Sequence, residues 1–244
     1  PAGNPAGNPA GNPAGNPAVP LVCDPSCGGG VFLVAVADHL VGAGADPATV
    51  VGAIHGIDLD PLAVEVARVA VVAWAAGAGL RGVALVEVAA GLVERIVVGD
   101  ALVDPWPAEG HLGVIVGNPP FAGQLARTTV RDDATATAAR ALLGGAAPGY
   151  ADTAGLFLVR AAVAGALGAR ISLIQPLSFL ASRDAGVVRR RLDELAVLSE
   201  VWIAGERVFE AAVDVCAPVA RVVDRLASSS PGARPAGPRR TPGG

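Results

Sequence analysis

Val114-Ile115-Val116-Gly117-Asn118-Pro119-Pro120-Phe121 reads as a buried strand running straight into a stiff turn. The apolar run carries the chain through the centre of a sheet. Pro119 and Pro120 then fix φ, remove two backbone donors and push Asn118 into an extended conformation. An amide side chain, a prolyl carbonyl and an aromatic ring are thereby held together at the end of a strand. In open α/β sheets, ligands bind at such strand ends.

Upstream lie three strands that each end in an acid. Val19–Cys23 leads to Asp24, and Asp24-Pro25-Ser26-Cys27-Gly28-Gly29-Gly30-Val31-Phe32-Leu33 turns into an apolar helix reaching about Val41. Strand, glycine turn and helix N-terminus let a ligand approach free backbone N–H groups closely. No Lys-Ser/Thr follows the glycines, so this is not a phosphate-binding loop, and the spacing is not G-x-G-x-x-G. A carboxylate just ahead of the turn suits an ammonium and rejects a pyrophosphate. Gly52–Asp58 is the second strand. Asp60-Pro61 opens a helix to about Gly77, with Asp60 as N-cap and Pro61 in the first turn. Asp58 is then placed to take ribose hydroxyls, as an acid ending the second strand does in nucleoside-binding units. After a weak segment at Gly82–Val93, Ile96–Val98 runs into Gly99-Asp100, the third strand with its acid.

The second half predicts helices over Arg131–Leu143, Asp152–Leu167 and Arg183–Leu198. It predicts strands over Ile171–Ile174, Glu200–Ala204 and Val215–Val223, and a loop over Pro176–Ala181. Arg189-Arg190-Arg191 reads as a solvated helix face. Residues 1–18 repeat Pro-Ala-Gly-Asn and residues 228–244 are rich in Pro, Gly and Ser. Both are expected to be disordered, leaving 19–227 as one domain.

Hydrophobic residues make up 52% of the 244, enough for a large core. No uncharged apolar run reaches a membrane span, and no signal segment opens the chain, which favours a cytoplasmic protein with no membrane partner. Cys23, Cys27 and Cys216 form neither a disulfide framework nor a zinc pattern, and His39, His55 and His111 lack metal-ligand spacing. Net charge is −4, yet residues 1–118 hold 11 acids and 3 arginines while 119–244 hold 11 acids and 15 arginines. That split suits a cationic small molecule in the first half and a polyanion in the second.

Taken together, Asp24–Leu33, Gly56-Ile57-Asp58-Leu59-Asp60-Pro61, Gly99-Asp100 and Asn118-Pro119-Pro120-Phe121 resemble, in order and spacing, the signatures of S-adenosylmethionine-dependent DNA adenine-N6 methyltransferases of restriction-modification type. The resemblance spans about residues 19–223. It implies a Rossmann-like α/β fold, with a mixed seven-stranded sheet flanked by helices and one antiparallel strand. It implies S-adenosyl-L-methionine as cofactor. Asp24, Cys27, Gly28 and Gly30 would hold its methionine part, Asp58 the ribose hydroxyls and Asp100 the adenine amino group. Phe157 resembles a helix residue packed near the cofactor adenine.

The implied chemistry agrees with the turn. A purine exocyclic amine is a poor nucleophile because its lone pair is delocalised into the ring. Acceptors from the Asn118 side chain and the Pro119 carbonyl, braced by Pro120, would free that lone pair for direct methyl transfer. The base must leave the duplex, with Phe121 stacking on it and Phe209 matching a second aromatic clamp. Cytosine N4, guanine N2 in RNA and a protein glutamine amide remain alternative amino substrates. A DNA- or partner-binding remnant without catalysis remains the alternative from another class. The family's helical segment upstream of the first signature and a target-recognition domain are both absent from this sequence. The expectation is therefore a catalytic-domain fragment with little activity alone, relying on a separate recognition domain or subunit.

Overall fold

The computed structural model describes residues 18–121, 133–145, 153–205 and 213–224. The expected disorder at either end, Arg127, Arg131 and Phe209 lie outside these residues.

Chain order alternates strand and helix through the first half. It runs β1 (Val22–Asp24), α1 (Val31–Gly42), α2 (Pro47–Ala53), β2 (Ile54–Asp58), α3 (Pro61–Gly77), α4 (Gly82–Arg95), β3 (Ile96–Val98) and β4 (Leu112–Gly117). The second half adds α5 (Asp133–Leu142), α6 (Thr153–Ala164), β5 (Gly165–Leu173), β6 (Gln175–Pro176), a 3-10 turn at Leu177–Leu180, α7 (Gly186–Leu195), β7 (Ala196–Ile203) and β8 (Val215–Val222). β1 pairs in parallel with both β2 and β4, and β3 and β5 extend the parallel run on either side. Among the described residues β8 is the one reversed strand, antiparallel to β5, β6 and β7.

Among the described residues the sheet has eight strands where seven were expected. The additional strand is the tip of β5. Ser172↔Val219 and Gln175↔Cys216 belong to one unbroken register, so β6 runs on along the same edge of β8. By that register Pro218 stands opposite Leu173, and a proline has no N–H to continue the ladder.

Local sequence explains the starts of α2 and α3. Asp60 accepts the Leu62 N–H at 2.8 Å with Pro61 at the first helical position, and Asp46 repeats the device with Thr49 N–H and Pro47 at α2. The strand expected from Gly52 begins at Ile54 because α2 occupies Gly52 and Ala53. The helix expected to Leu198 stops at Leu195, and Ala196–Ile203 forms β7 against the whole length of β8. The Pro176–Ala181 loop holds the 3-10 turn.

Two apolar layers sandwich the sheet. Leu33, Val50, Ile54, Val64, Val71, Leu92 and Ile96 pack on the α1–α4 side. Ile115, Leu156, Leu158, Ile171, Leu173, Leu192 and Ala220 pack on the α5–α7 side. The strand ends carrying the acids are thus fixed from both faces.

Candidate active site

β1 delivers Asp24 to the C-terminal edge of the sheet, where only 1% of its surface is exposed. Ser26 turns back on it, donating its N–H to Asp24 Oδ1 at 2.9 Å and reaching the same oxygen with its hydroxyl at 3.4 Å. Oδ2 is buried without a hydrogen-bond partner among the described residues. The carboxylate faces β4: a β-carbon at Gly117 would overlap Oδ1 and stand 2.8 Å from Cγ. Burial lifts the Asp24 pKa from its ordinary 3.8 to about 7, although the Ser26 bonds pull it down. An ionised carboxylate in that position wants a cationic donor.

The glycine turn sits beside it. Gly28 and Gly30 have φ of 50° and 85°, a region that favours glycine. At Gly30 a β-carbon would also come within 3.1 Å of the Ala67 backbone on α3. Cys27 shapes the turn through its backbone, donating N–H to the Ile57 carbonyl at 2.9 Å and accepting from Gly30 N–H at 2.8 Å. Its thiol packs against Gly56 in the core, and burial pushes it up, so it stays protonated.

Asp58 ties the turn to β2. Its Oδ2 accepts the Gly28 N–H at 2.8 Å and its Oδ1 accepts the Asp60 N–H at 3.0 Å. Each oxygen keeps a further lone pair. Gly99 N–H donates to the Asp58 carbonyl at 2.9 Å, which brings Asp100 alongside. Asp100 Oδ1 accepts the Leu102 N–H at 2.9 Å; its Oδ2 takes no hydrogen bond from the described residues.

Directly after Gly117 come Asn118, Pro119, Pro120 and Phe121, with Pro119 buried and the other three half-buried. Ile174 N–H holds the Gly117 carbonyl at 3.0 Å, anchoring the turn's base to the tip of β5. Asp24, Gly28, Gly30, Asp58 and Asp100 therefore share one edge with the turn. Phe157 is 6% exposed and belongs to the apolar layer with Leu102 and Trp106. Sequence reasoning missed Ser26, whose place two residues after an acid is an Asx-turn signal, and Gly117, whose role depends on a neighbouring strand.

An apolar depression of about 420 Å³ opens between α1 and the sheet, lined by Phe32, Val36, Val116, Ile174, Trp202 and Ala217 among others. None of the three acids lines it. Among the described residues no cluster of His, Cys, Asp or Glu is placed to hold a metal, and no helix is long and apolar enough to cross a membrane.

Residues 16–214 match the family described as N-6 DNA Methylase. The chain belongs to the N-6 DNA methylase family. Solved structures share its fold at low identity. A putative class I S-adenosylmethionine-dependent methyltransferase from Listeria monocytogenes aligns with a TM-score of 0.55 and 18% identity, over 83% of this chain and 53% of its own. The modification subunit of a putative type I restriction enzyme from Vibrio vulnificus YJ016 gives 0.57 and 18%, over 82% and 40%. The ATP-dependent type ISP restriction-modification enzyme LlaBIII, bound to DNA, gives 0.60 and 15%, over 83% and 16%. The N-6 DNA methylase chain thus spans about half or less of each. No curated protein matches it significantly.

The cofactor of this methylase family is S-adenosyl-L-methionine. It presents an ammonium, a ribose diol and an adenine amino group, all hydrogen-bond donors. Three carboxylates along one sheet edge, one with an orphaned buried oxygen, and a turn without β-carbons fit that donor set.

Proposed function

We propose that this N-6 DNA methylase chain transfers a methyl group from S-adenosyl-L-methionine to the N6 amino group of an adenine flipped out of DNA. The observation that carries the reading is the contact of Asp24 with Gly117, which sets the cofactor acid one residue from Asn118. Asp24 Oδ2 takes the ammonium, with Gly28 and Gly30 giving room for the methionine chain and Cys27 shaping their turn. Asp58 takes the ribose hydroxyls, and Asp100 Oδ2 the adenine amino group. When bound, the cofactor supplies a methyl group activated by its sulfonium.

The Asn118 side-chain oxygen and the Pro119 carbonyl accept the two N–H bonds of the target amine. Held so, the nitrogen moves toward tetrahedral geometry and its lone pair becomes available, a gain from fixed dipoles rather than from a covalent nucleophile. That lone pair would then be free to take the methyl group that the bound cofactor supplies, with the excess proton released to water. Pro119 and Pro120 fix the turn and Phe121 stacks on the base, with Phe209 proposed as a second aromatic contact by its match to the family's clamp. Residues 19–227 form the catalytic unit. Sequence choice falls to a separate recognition domain or subunit, and the work is done in the cytoplasm.

Tritiated methyl transfer onto mixed genomic DNA, followed by nucleoside analysis, tests this. N6-methyladenine supports it. N4-methylcytosine would move the chemistry to the other exocyclic amine, and DNA binding without label would leave a binding module.

A further inference from the structure

Helix α6 carries a charge into the core. Arg160 is 7% exposed, and its guanidinium makes a two-point ion pair with Glu109, Nη1 to Oε1 at 2.7 Å and Nη2 to Oε2 at 2.8 Å. It also donates to the Asp104 carbonyl at 3.2 Å and lies over the Trp106 ring, 5.0 Å from its centroid. All three partners belong to the loop between β3 and β4 that also carries Asp100. The fork of a guanidinium fixes direction as well as distance, which a lysine cannot do.

Those partners in turn hold the turn at Asp100. Trp106 donates its Nε1–H to the Ala101 carbonyl at 2.8 Å, and its own N–H goes to Glu109 Oε2 at 3.0 Å. Asp104 Oδ2 accepts the Asp100 N–H at 2.8 Å, and Asp104 N–H returns to the Asp100 carbonyl at 2.7 Å. The path from Arg160 to Asp100 therefore runs through hydrogen bonds, by way of the Asp104 carbonyl and carboxylate. Apolar side chains could anchor a loop as firmly, because a buried ion pair adds little net stability over well-packed hydrophobic residues. What the pair adds is a fixed orientation.

We propose that Arg160 is a positioning residue for Asp100, and that it sets how strongly the site prefers an adenine amino group over a carbonyl at the same ring position. The inference rests on Asp100 meeting the cofactor's adenine, as proposed above.

The test compares calorimetric dissociation constants of S-adenosylhomocysteine and S-inosylhomocysteine on the full chain, for wild type, Arg160→Met, Arg160→Lys and Glu109→Gln. Wild type should favour the adenosyl ligand by about tenfold or more, since a carboxylate rejects the carbonyl. Arg160→Met should bring the two ligands within about twofold of each other, and Arg160→Lys should recover the preference only in part. If Arg160→Met does not fold, Glu109→Gln keeps the ring contact and the packing, and makes the same comparison. A preference that survives in the variants while both ligands weaken together overturns the proposal and leaves Arg160 a purely structural role. A wild type that binds both alike overturns the assignment of Asp100 itself, and one that binds neither overturns the cofactor reading on which the proposal rests.

Discussion

Asp24 and Gly117 touch across two adjacent parallel strands, the carboxylate of one filling the space where the other has no side chain. The acid after β1 and the turn after β4 are therefore one unit, although 93 residues separate them in the chain. Gly117→Ala forces the carboxylate aside. It should cost roughly 1–3 kcal/mol of stability and weaken binding of the cofactor. Gly52, exposed on α2 with open space around it, is the control: Gly52→Ala should gain roughly 0.5–1 kcal/mol and leave binding unchanged. Urea unfolding and calorimetry on both variants check the pair.

Asp24 also gives stability a pH dependence. Its folded pKa is about 7 against an ordinary 3.8, so between those values the folded chain keeps a proton that the unfolded chain has released. Stability is then full below the lower value and falls as pH rises through the higher one. Asp24→Asn should remove that slope and stabilise the ligand-free protein at pH 8 by on the order of 2–4 kcal/mol. Urea titrations at pH 4 and pH 8 measure it. Equal stability of variant and wild type at pH 8 would mean the carboxylate ionises without cost.

How far these features could be read in the sequence depended on how local their causes are. The Asp60-Pro61 start of α3, the glycine turn and the three acids after short apolar runs all carry their signals within a few residues. The start of α2 carries the same Asp-Pro device at Asp46-Pro47, but a seven-residue helix leaves too little periodicity to outweigh the apolar strand that follows it. The strand expected at Glu200–Ala204 is the second part of β7; its start was obscured because Ala196–Leu198 continues the pattern of α7, and only pairing with β8 separates them. Gly117 and Arg160 act through partners on distant elements, Glu109 lying 51 residues from Arg160. No window of sequence shows that.

Asp58 and Asp60 sit two residues apart and should behave differently. Asp60 only caps α3, so Asp60→Ala should cost about 1 kcal/mol with cofactor affinity unchanged. Asp58 holds the Gly28 N–H and is proposed to meet the ribose, so Asp58→Ala should weaken cofactor binding by about tenfold or more. Thermal unfolding and calorimetry separate them; equal effects on affinity would contradict the division.

Asn118 is proposed to touch only the target base. Asn118→Ala should lower methyl transfer by about 100-fold or more, as loss of a preorganised polar contact does. Cofactor affinity should stay within about twofold of wild type. A parallel loss of cofactor binding would place Asn118 in the cofactor site instead.

The central claim is that the turn at Asn118 directs the methyl group to adenine N6. Its most direct test supplies S-adenosyl-L-methionine labelled with carbon-13 in the methyl group, together with genomic DNA uniformly labelled with nitrogen-15 and free of adenine methylation. NMR of the product nucleosides should show a one-bond carbon–nitrogen coupling at adenine N6. The same coupling at cytosine N4, or none in any nucleoside while the chain binds both cofactor and DNA, would contradict it.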